Sequence, residues 1–194
     1  LIAETISFFQ VMGNKEGRYG KALQDSLEFL PEFPPDRVDF GALIPWKLNV
    51  LDQAYAHFKA LEKSAEIWRD YAQFRAEQAS WLDDFALFMA LKEHYGGNPW
   101  SQWEPELRDR QPKAIQQSRQ ELSEAISRQA FRQFLFFRQW DRLRQYAREK
   151  GLLIIGDIPI FVAHDSADVW AHPEIFYLDQ KGQPKFVAGV PPDY

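Results

Sequence analysis

Apolar residues recur every three or four positions from Trp46 to about Leu61, where Leu48, Leu51, Tyr55, Phe58 and Leu61 share one stripe, and this spacing predicts an amphipathic helix. A second helical piece begins near Ser64, with Glu66 in its first turn and Ile67, Trp68, Tyr71 and Phe74 along its apolar side. Trp81, Phe85 and Phe88, with Leu82 and Met89, mark a third helix that stops at Gly96-Gly97. After the loop Asn98-Pro-Trp-Ser-Gln-Trp103 and the bracketing Pro105 and Pro112, a long helix is predicted from about Ser118 to Lys150. It is crowded with Phe131, Phe134, Leu135, Phe137, Trp140, Leu143 and Tyr146, and Phe136 widens the apolar surface enough to expect burial on more than one side. The period then changes. Leu152 to Ile155 are four consecutive apolar residues between Gly151, a helix stop, and Gly156-Asp157, which predicts a strand buried on both faces as in parallel sheets. Downstream, Ser166 is placed to cap a turn of helix at Ala167-Asp-Val-Trp170, with Trp170 as a core anchor. Gln180-Lys-Gly-Gln183 reads as a hairpin tip between 176–178 and 185–187. Pro191 and Pro192 forbid regular structure near the end. Before Trp46 the pattern is weaker: 1–12 is mixed apolar, 13–20 is turn-rich, and Lys21 to Leu30 is a possible short helix closed by prolines.

Helix, tight turn, buried strand and a polar residue at the strand's carboxyl end is the grammar of an α/β barrel or a doubly wound sheet, and in both folds ligands bind at that end. Asp157 stands there. The fold expectation is therefore α/β, with a large helix-rich stretch ahead of the strand. At 194 residues, 45% hydrophobic and 15% aromatic, the chain can bury one sizeable core. An eight-stranded barrel takes ~250 residues, and only one such strand is visible, so the chain, which opens on Leu1, is expected to be a fragment.

Charge and composition remove several function classes. The net charge of -5 disfavours nucleic-acid binding. Arginines 128, 132, 138, 142, 144 and 148 lie among aromatics, but interleaved acids and glutamines make them read as an ordinary solvated helix face. There is no cysteine, hence neither a disulfide framework nor a thiolate metal site, and no apolar run approaches the ~18 residues of a membrane span. Asp83 and Asp84 are adjacent and do not face each other on a helix, so they read as acids favoured in a first turn. His164 has no second histidine at ligand spacing and reads as a surface or supporting residue. For Asp157 a ligand-binding role competes with the simpler one of tying down a loop amide.

Three motifs sharpen the picture: Gly156-Asp-Ile-Pro-Ile-Phe-Val-Ala163, Asp165-Ser-Ala-Asp-Val-Trp170 and Val187-Ala-Gly-Val-Pro-Pro-Asp-Tyr194. In order and spacing they resemble the 4-α-glucanotransferases, also called amylomaltases or disproportionating enzymes. Looser agreement runs through Val38-Asp-Phe-Gly-Ala-Leu-Ile-Pro-Trp-Lys47 and Phe134-Leu-Phe-Phe-Arg-Gln-Trp140. The resemblance implies part of a (β/α)8 barrel interrupted by a large helix-rich insertion. It divides the chain into a link from an earlier barrel part (1–39), the helical insertion (40–125), and a barrel helix, strand and active-site loops (126–194). It implies retaining transfer of α-1,4-glucan segments between maltooligosaccharides or to glucose, which needs two carboxyl groups about 5–5.5 Å apart.

By the same resemblance, nucleophile and acid/base are expected beyond Tyr194, so no catalytic residue is assigned within the chain. The substrate-binding candidates are Asp157, at the donor sugar, and Tyr194, near the glucan. Neither metal nor cofactor is expected, and no nucleic acid or membrane partner. The location expected is the cytoplasm, or a plastid in a plant. Arg37-Val-Asp39 has part of the family's nucleophile sequence Arg-x-Asp-His, but Phe40 follows, and Asp39 is expected to approach a helix or face solvent. Trp100 and Trp103 are expected as buried anchors, with stacking on a sugar face as the alternative. Two other readings stay open: a fragment of an α-amylase-type hydrolase, which the Pro-Pro-Asp-Tyr motif opposes, and a non-catalytic helix-rich interaction protein.

Overall fold

The computed structural model describes residues 36–186 and Gly189. The expectations for residues 1–35, for Pro191-Pro192 and for Tyr194 lie outside the described residues. The described elements are helices α1 (Phe40–Ala60), α2 (Glu66–Glu77), α3 (Ala79–His94), α4 (Pro105–Arg108), α5 (Pro112–Glu121), α6 (Ser123–Glu149) and α7 (Ala167–Ala171), with 3-10 turns at Trp100–Gln102 and Pro173–Ile175. They divide between two compact units. One takes residues 1–71 and 131–152, the other 72–130 and 153–194.

In the first unit α1 starts six residues before the apolar stripe suggested, because the Asp39 side chain accepts a hydrogen bond from Ala42 N (3.2 Å) and caps the helix. Pro45 lies inside this helix. It lacks the N–H for one intrahelical bond. The buried side of α1 is Val50, Ala54, Tyr55 and Phe58. Phe58 stacks on Phe131 of α6 at 4.6 Å and meets Trp68 of α2 at a tilt, 4.0 Å away. Tyr71 meets Phe58 and Phe134 edge-on at 5.2 and 5.6 Å. Edge-to-face and offset pairs of this kind add about 0.5–1.5 kcal/mol beyond the area they bury. Arg132, whose side chain is only 11% exposed, reaches Asp52 at 2.6 Å, and Arg138 lies 4.0 Å from Asp70. These two arginines are thus held in the packing and are not part of a solvated face. The long helix ends as expected at Gly151, which takes φ 70° while Leu152 N closes back on Ala147 O (2.9 Å).

In the second unit α3 buries Leu82, Ala86, Leu87, Phe88, Ala90 and Leu91. Trp100, Trp103 and Trp170 are also buried, so the two loop indoles are anchors. Trp170 has Phe88 at 5.9 Å and Trp103 at 5.6 Å, and its Nε1 donates to Leu107 O at 3.0 Å. Ser166 Oγ accepts from Val169 N (3.4 Å) as the cap of α7. Asp83 and Asp84 lie past the first turn of α3, so the macrodipole does not place them. Asp83 pairs with Arg75 (3.2 Å), Asp84 with Arg110 (2.8 Å) and Arg119 (3.3 Å).

Two further expectations are corrected. The helix begun near Ser118 is two helices: α5 opens at Pro112, a residue suited to the first helical position, and α6 follows after Leu122. The buried strand at Leu152–Ile155 is not formed. These residues are coil, exposed by 62, 87, 47 and 93% in turn, and no strand occurs among the described residues beyond an isolated antiparallel bridge between Leu178 and Pro184. A parallel strand takes its main-chain bonds from neighbours reached by long crossovers, and no described segment lies beside it to supply them. The barrel is accordingly not seen among the described residues.

Candidate functional site

Two of the three motifs fall on described residues of the second unit, on the coil that follows Gly156 and on α7 with its cap, whereas Val187–Tyr194 lies outside the described residues but for Gly189. Asp157 is exposed, and its Oδ1 accepts from Ile158 N at 2.7 Å. That bond fixes one carboxylate oxygen and leaves Oδ2 without a partner among the described residues. The carboxylate thus both ties a loop amide and keeps an acceptor available.

Past Pro159 the chain reaches His164, which is half-buried. Its Nε2 lies 2.7 Å from Gly182 O, its ring is 5.4 Å from Trp100, and its carbonyl accepts from Trp100 Nε1 at 2.8 Å. Since Gly182 O can only accept, Nε2 carries the hydrogen. Asp165 accepts from Lys92 Nζ at 2.6 Å and from Trp100 N at 3.3 Å. The same Lys92 ammonium donates to Gly97 O (2.7 Å) and Asn98 O (3.0 Å), so all three of its donors are used. The end of α3 and the 164–165 segment are bracketed by one cation.

The hairpin is built by Asp179. Its Oδ1 accepts from Lys181 N and Gln183 N, both at 2.8 Å, while Asp179 N donates to Gln183 O at 2.8 Å. The two amides hold its carboxyl below the ordinary carboxylate range. Gly182 turns with φ 73° and lies so close to Trp100 that a Cβ there would stand 2.6 Å from the ring. Between the coil and the hairpin opens a groove of about 820 Å³ whose walls include Phe161, His164, Phe176, Tyr177, Leu178 and Phe186. Tyr177 and Phe186 meet edge-on at 5.8 Å, and both are exposed.

Such a surface can hold the apolar faces of a ligand, and His164 and the main chain offer polar contacts. No carboxylate among the described residues lines it. Among the described residues no group of three His, Asp or Glu could hold a metal ion. No helix among the described residues is long and apolar enough to cross a membrane. Elsewhere in this unit Tyr95 donates a short hydrogen bond to Glu104; burial, then that bond, push the phenol up to about 12, and the bond lowers the Glu104 carboxyl.

Asp157 and His164 are thus found on one segment, whereas Tyr194 lies outside the described residues. Sequence reasoning missed Asp179, although Asp two residues ahead of Lys-Gly is an Asx-turn signal. It also missed Lys92, for which no local signal exists, because its partner is far away in the chain.

A family model described as 4-alpha-glucanotransferase matches residues 5–194. A 4-alpha-glucanotransferase of Thermus thermophilus is 52% identical over 165 residues, covering 84% of this chain and 33% of that protein. One from Synechocystis is 44% identical over 169 residues, covering 87% of this chain and 33% of that protein. A solved structure of amylomaltase from Streptococcus agalactiae in complex with acarbose superposes with a TM-score of 0.83 at 34% identity, over 97% of this chain and 36% of that one. The chain spans about a third of the length of the relatives it matches.

Proposed function

The chain belongs to the 4-alpha-glucanotransferase family, and from that premise we propose that it forms part of an enzyme that moves α-1,4-glucan segments between maltooligosaccharides or onto glucose. The observation that carries this reading is the match of nearly the whole chain to one family at identities up to 52%. The reaction is a retaining double displacement, in which one carboxylate attacks the anomeric carbon and a second carboxyl first protonates the leaving oxygen, then deprotonates the incoming hydroxyl. No carboxylate among the described residues lines the groove, and the two catalytic groups are assigned to sequence beyond Tyr194.

In this reading Asp157 serves the donor sugar. Its Oδ1 is committed to Ile158 N, so the second oxygen is preset as an acceptor for a glucose hydroxyl or a guanidinium. Tyr194 meets the glucan. The coil at 152–155 becomes a strand of a (β/α)8 barrel when its neighbours are present, with residues 1–39 as a link, 40–125 as a helical insertion and 126–194 as barrel helix, strand and loops. Maltooligosaccharides and glucose are the partners, and the enzyme works without a cofactor in the cytoplasm, or in a plastid if it comes from a plant. The acarbose bound to the Streptococcus agalactiae amylomaltase supports a glucan-type ligand.

The test is incubation of the full-length enzyme containing this chain with maltotriose. Glucose together with maltopentaose and longer products is the expected result. Glucose and maltose in equal amounts without longer products would mark a hydrolase instead, and unchanged maltotriose would remove the assignment.

A further inference from the structure

A second cavity of about 430 Å³ lies in the same unit, between α4 and the hairpin. Its floor is apolar, from Trp100, Phe176 and Leu178; the last two also line the larger groove, so the two spaces adjoin. Its rim is polar and uncommonly well fixed. Arg108 and Asp109 form a two-pronged pair, Nε to Oδ1 at 2.7 Å and Nη2 to Oδ2 at 3.1 Å, which leaves the remaining guanidinium N–H groups without a partner among the described residues. Arg110 follows with φ 52°, a left-handed conformation costly for an arginine. It is held there by Asp84 at 2.8 Å and by the Trp170 ring, 4.3 Å from its guanidinium carbon. Across the cavity Asp179 spends only Oδ1 on the hairpin amides, leaving Oδ2 unpartnered among the described residues, and the Gln180 amide stands beside it.

We propose that this cavity is a remote subsite that binds the far end of a long glucan whose reacting end occupies the larger groove; the proposal rests on the glucanotransferase reading. Fixed guanidinium donors face fixed carboxylate and amide acceptors over an aromatic and aliphatic floor. That set matches a sugar ring, which both donates and accepts through its hydroxyls and presents an apolar C–H face. An anion is a poor occupant, because Asp109, Glu174 and Asp179 line the space along with Arg108 and Arg110. A metal ion is poor as well, since these carboxylates form no group able to hold one.

The subsite is tested in the full-length enzyme with two variants. Arg108→Ala removes hydrogen-bond donors, and Gln180→Trp fills the space from an exposed position without removing a packing contact. Both are expected to raise the KM for amylose, and the dissociation constant read from retardation in amylose gels, by about tenfold, the size of one hydrogen bond to a charged group. The kcat/KM on maltotriose, too short to reach from groove to cavity, should stay at the wild-type value. Amylose binding unchanged in both variants overturns the subsite, as does an equal loss on amylose and maltotriose. Wild-type enzyme inert on maltotriose sinks the functional reading instead, while gel retardation still judges the cavity.

Discussion

At the scale of single residues, the chemistry turns on how many of a side chain's atoms are already committed. Asp157 is half committed, with one oxygen on Ile158 N. Asp157→Asn keeps its shape and removes its charge. If the free oxygen serves the donor sugar as positive charge grows on it, the full-length enzyme should lose kcat by about 10²-fold, the usual cost of one preorganised electrostatic partner. The melting temperature should hardly move. If the carboxylate only ties its loop, stability falls and turnover survives, so kcat on maltotriose and the thermal midpoint from one preparation separate the two.

Tyr95 is the opposite case, fully committed to Glu104. Its folded value, about 12, is raised above the ordinary 10.0, so the stability it contributes is present below pH 10 and lost as pH climbs toward 12. Glu104 has a lowered value, so its share is present at neutral pH and lost as acid protonates it in the folded state. Ultraviolet titration should show the Tyr95 phenol ionising late in wild type. Glu104→Gln should move that ionisation down toward 10, and an unmoved titration would assign the shift to burial alone.

Among the elements, what the sequence disclosed was whatever depends on neighbours in the chain. Gly151 as a helix stop, Ser166 as a cap, the hairpin tip and the burial of Trp100, Trp103 and Trp170 are all local signals, and all are present in the structure. The start of α1 rests on the Asp39 cap, ahead of the apolar stripe, and the break at Leu122 falls in a run with no proline or glycine to mark it. The strand at Leu152–Ile155 was misread for a different reason: its apolar run is genuine, but pairing is supplied by other segments. Of the site, Asp157 and His164 were legible as residues, while Lys92, Arg110 and Asp179 acquire their meaning only through partners across the fold. The hairpin shows how strict such partners can be. Gly182→Ala would have to accept φ 73° and drive a methyl group into the Trp100 ring. About 2–4 kcal/mol of destabilisation is expected from the left-handed backbone and the overpacking together. Urea unfolding of the full-length enzyme followed by tryptophan fluorescence would measure it. A loss under about 0.5 kcal/mol would mean that Trp100 yields freely.

For the whole molecule, the run from Leu152 to Ile160 is the largest uncovered apolar stretch of consecutive residues among those described. Ile155, Ile158 and Ile160 are each more than four-fifths exposed. Contiguous apolar surface of this sort, with main-chain groups free to pair, invites association between copies. The isolated 194-residue chain is expected to scatter light and lose solubility with rising concentration. A chain that stays monomeric by sedimentation at high concentration, with a cooperative thermal transition, would show that the run finds cover within the chain itself.

The division into two units has a consequence for anyone wishing to take the protein apart. The chain passes between the units at 71–72, 130–131 and 152–153. The first passage falls within α2 and the second within α6. Neither unit is a single stretch of polypeptide, and two of the three borders run through unbroken helical turns, with no loop to cut. A protease that prefers exposed loops will therefore not release either unit intact, and expression plasmids trimmed at loop boundaries will always carry part of both. Because the chain crosses the borders three times, a deletion of either unit would sever the other as well.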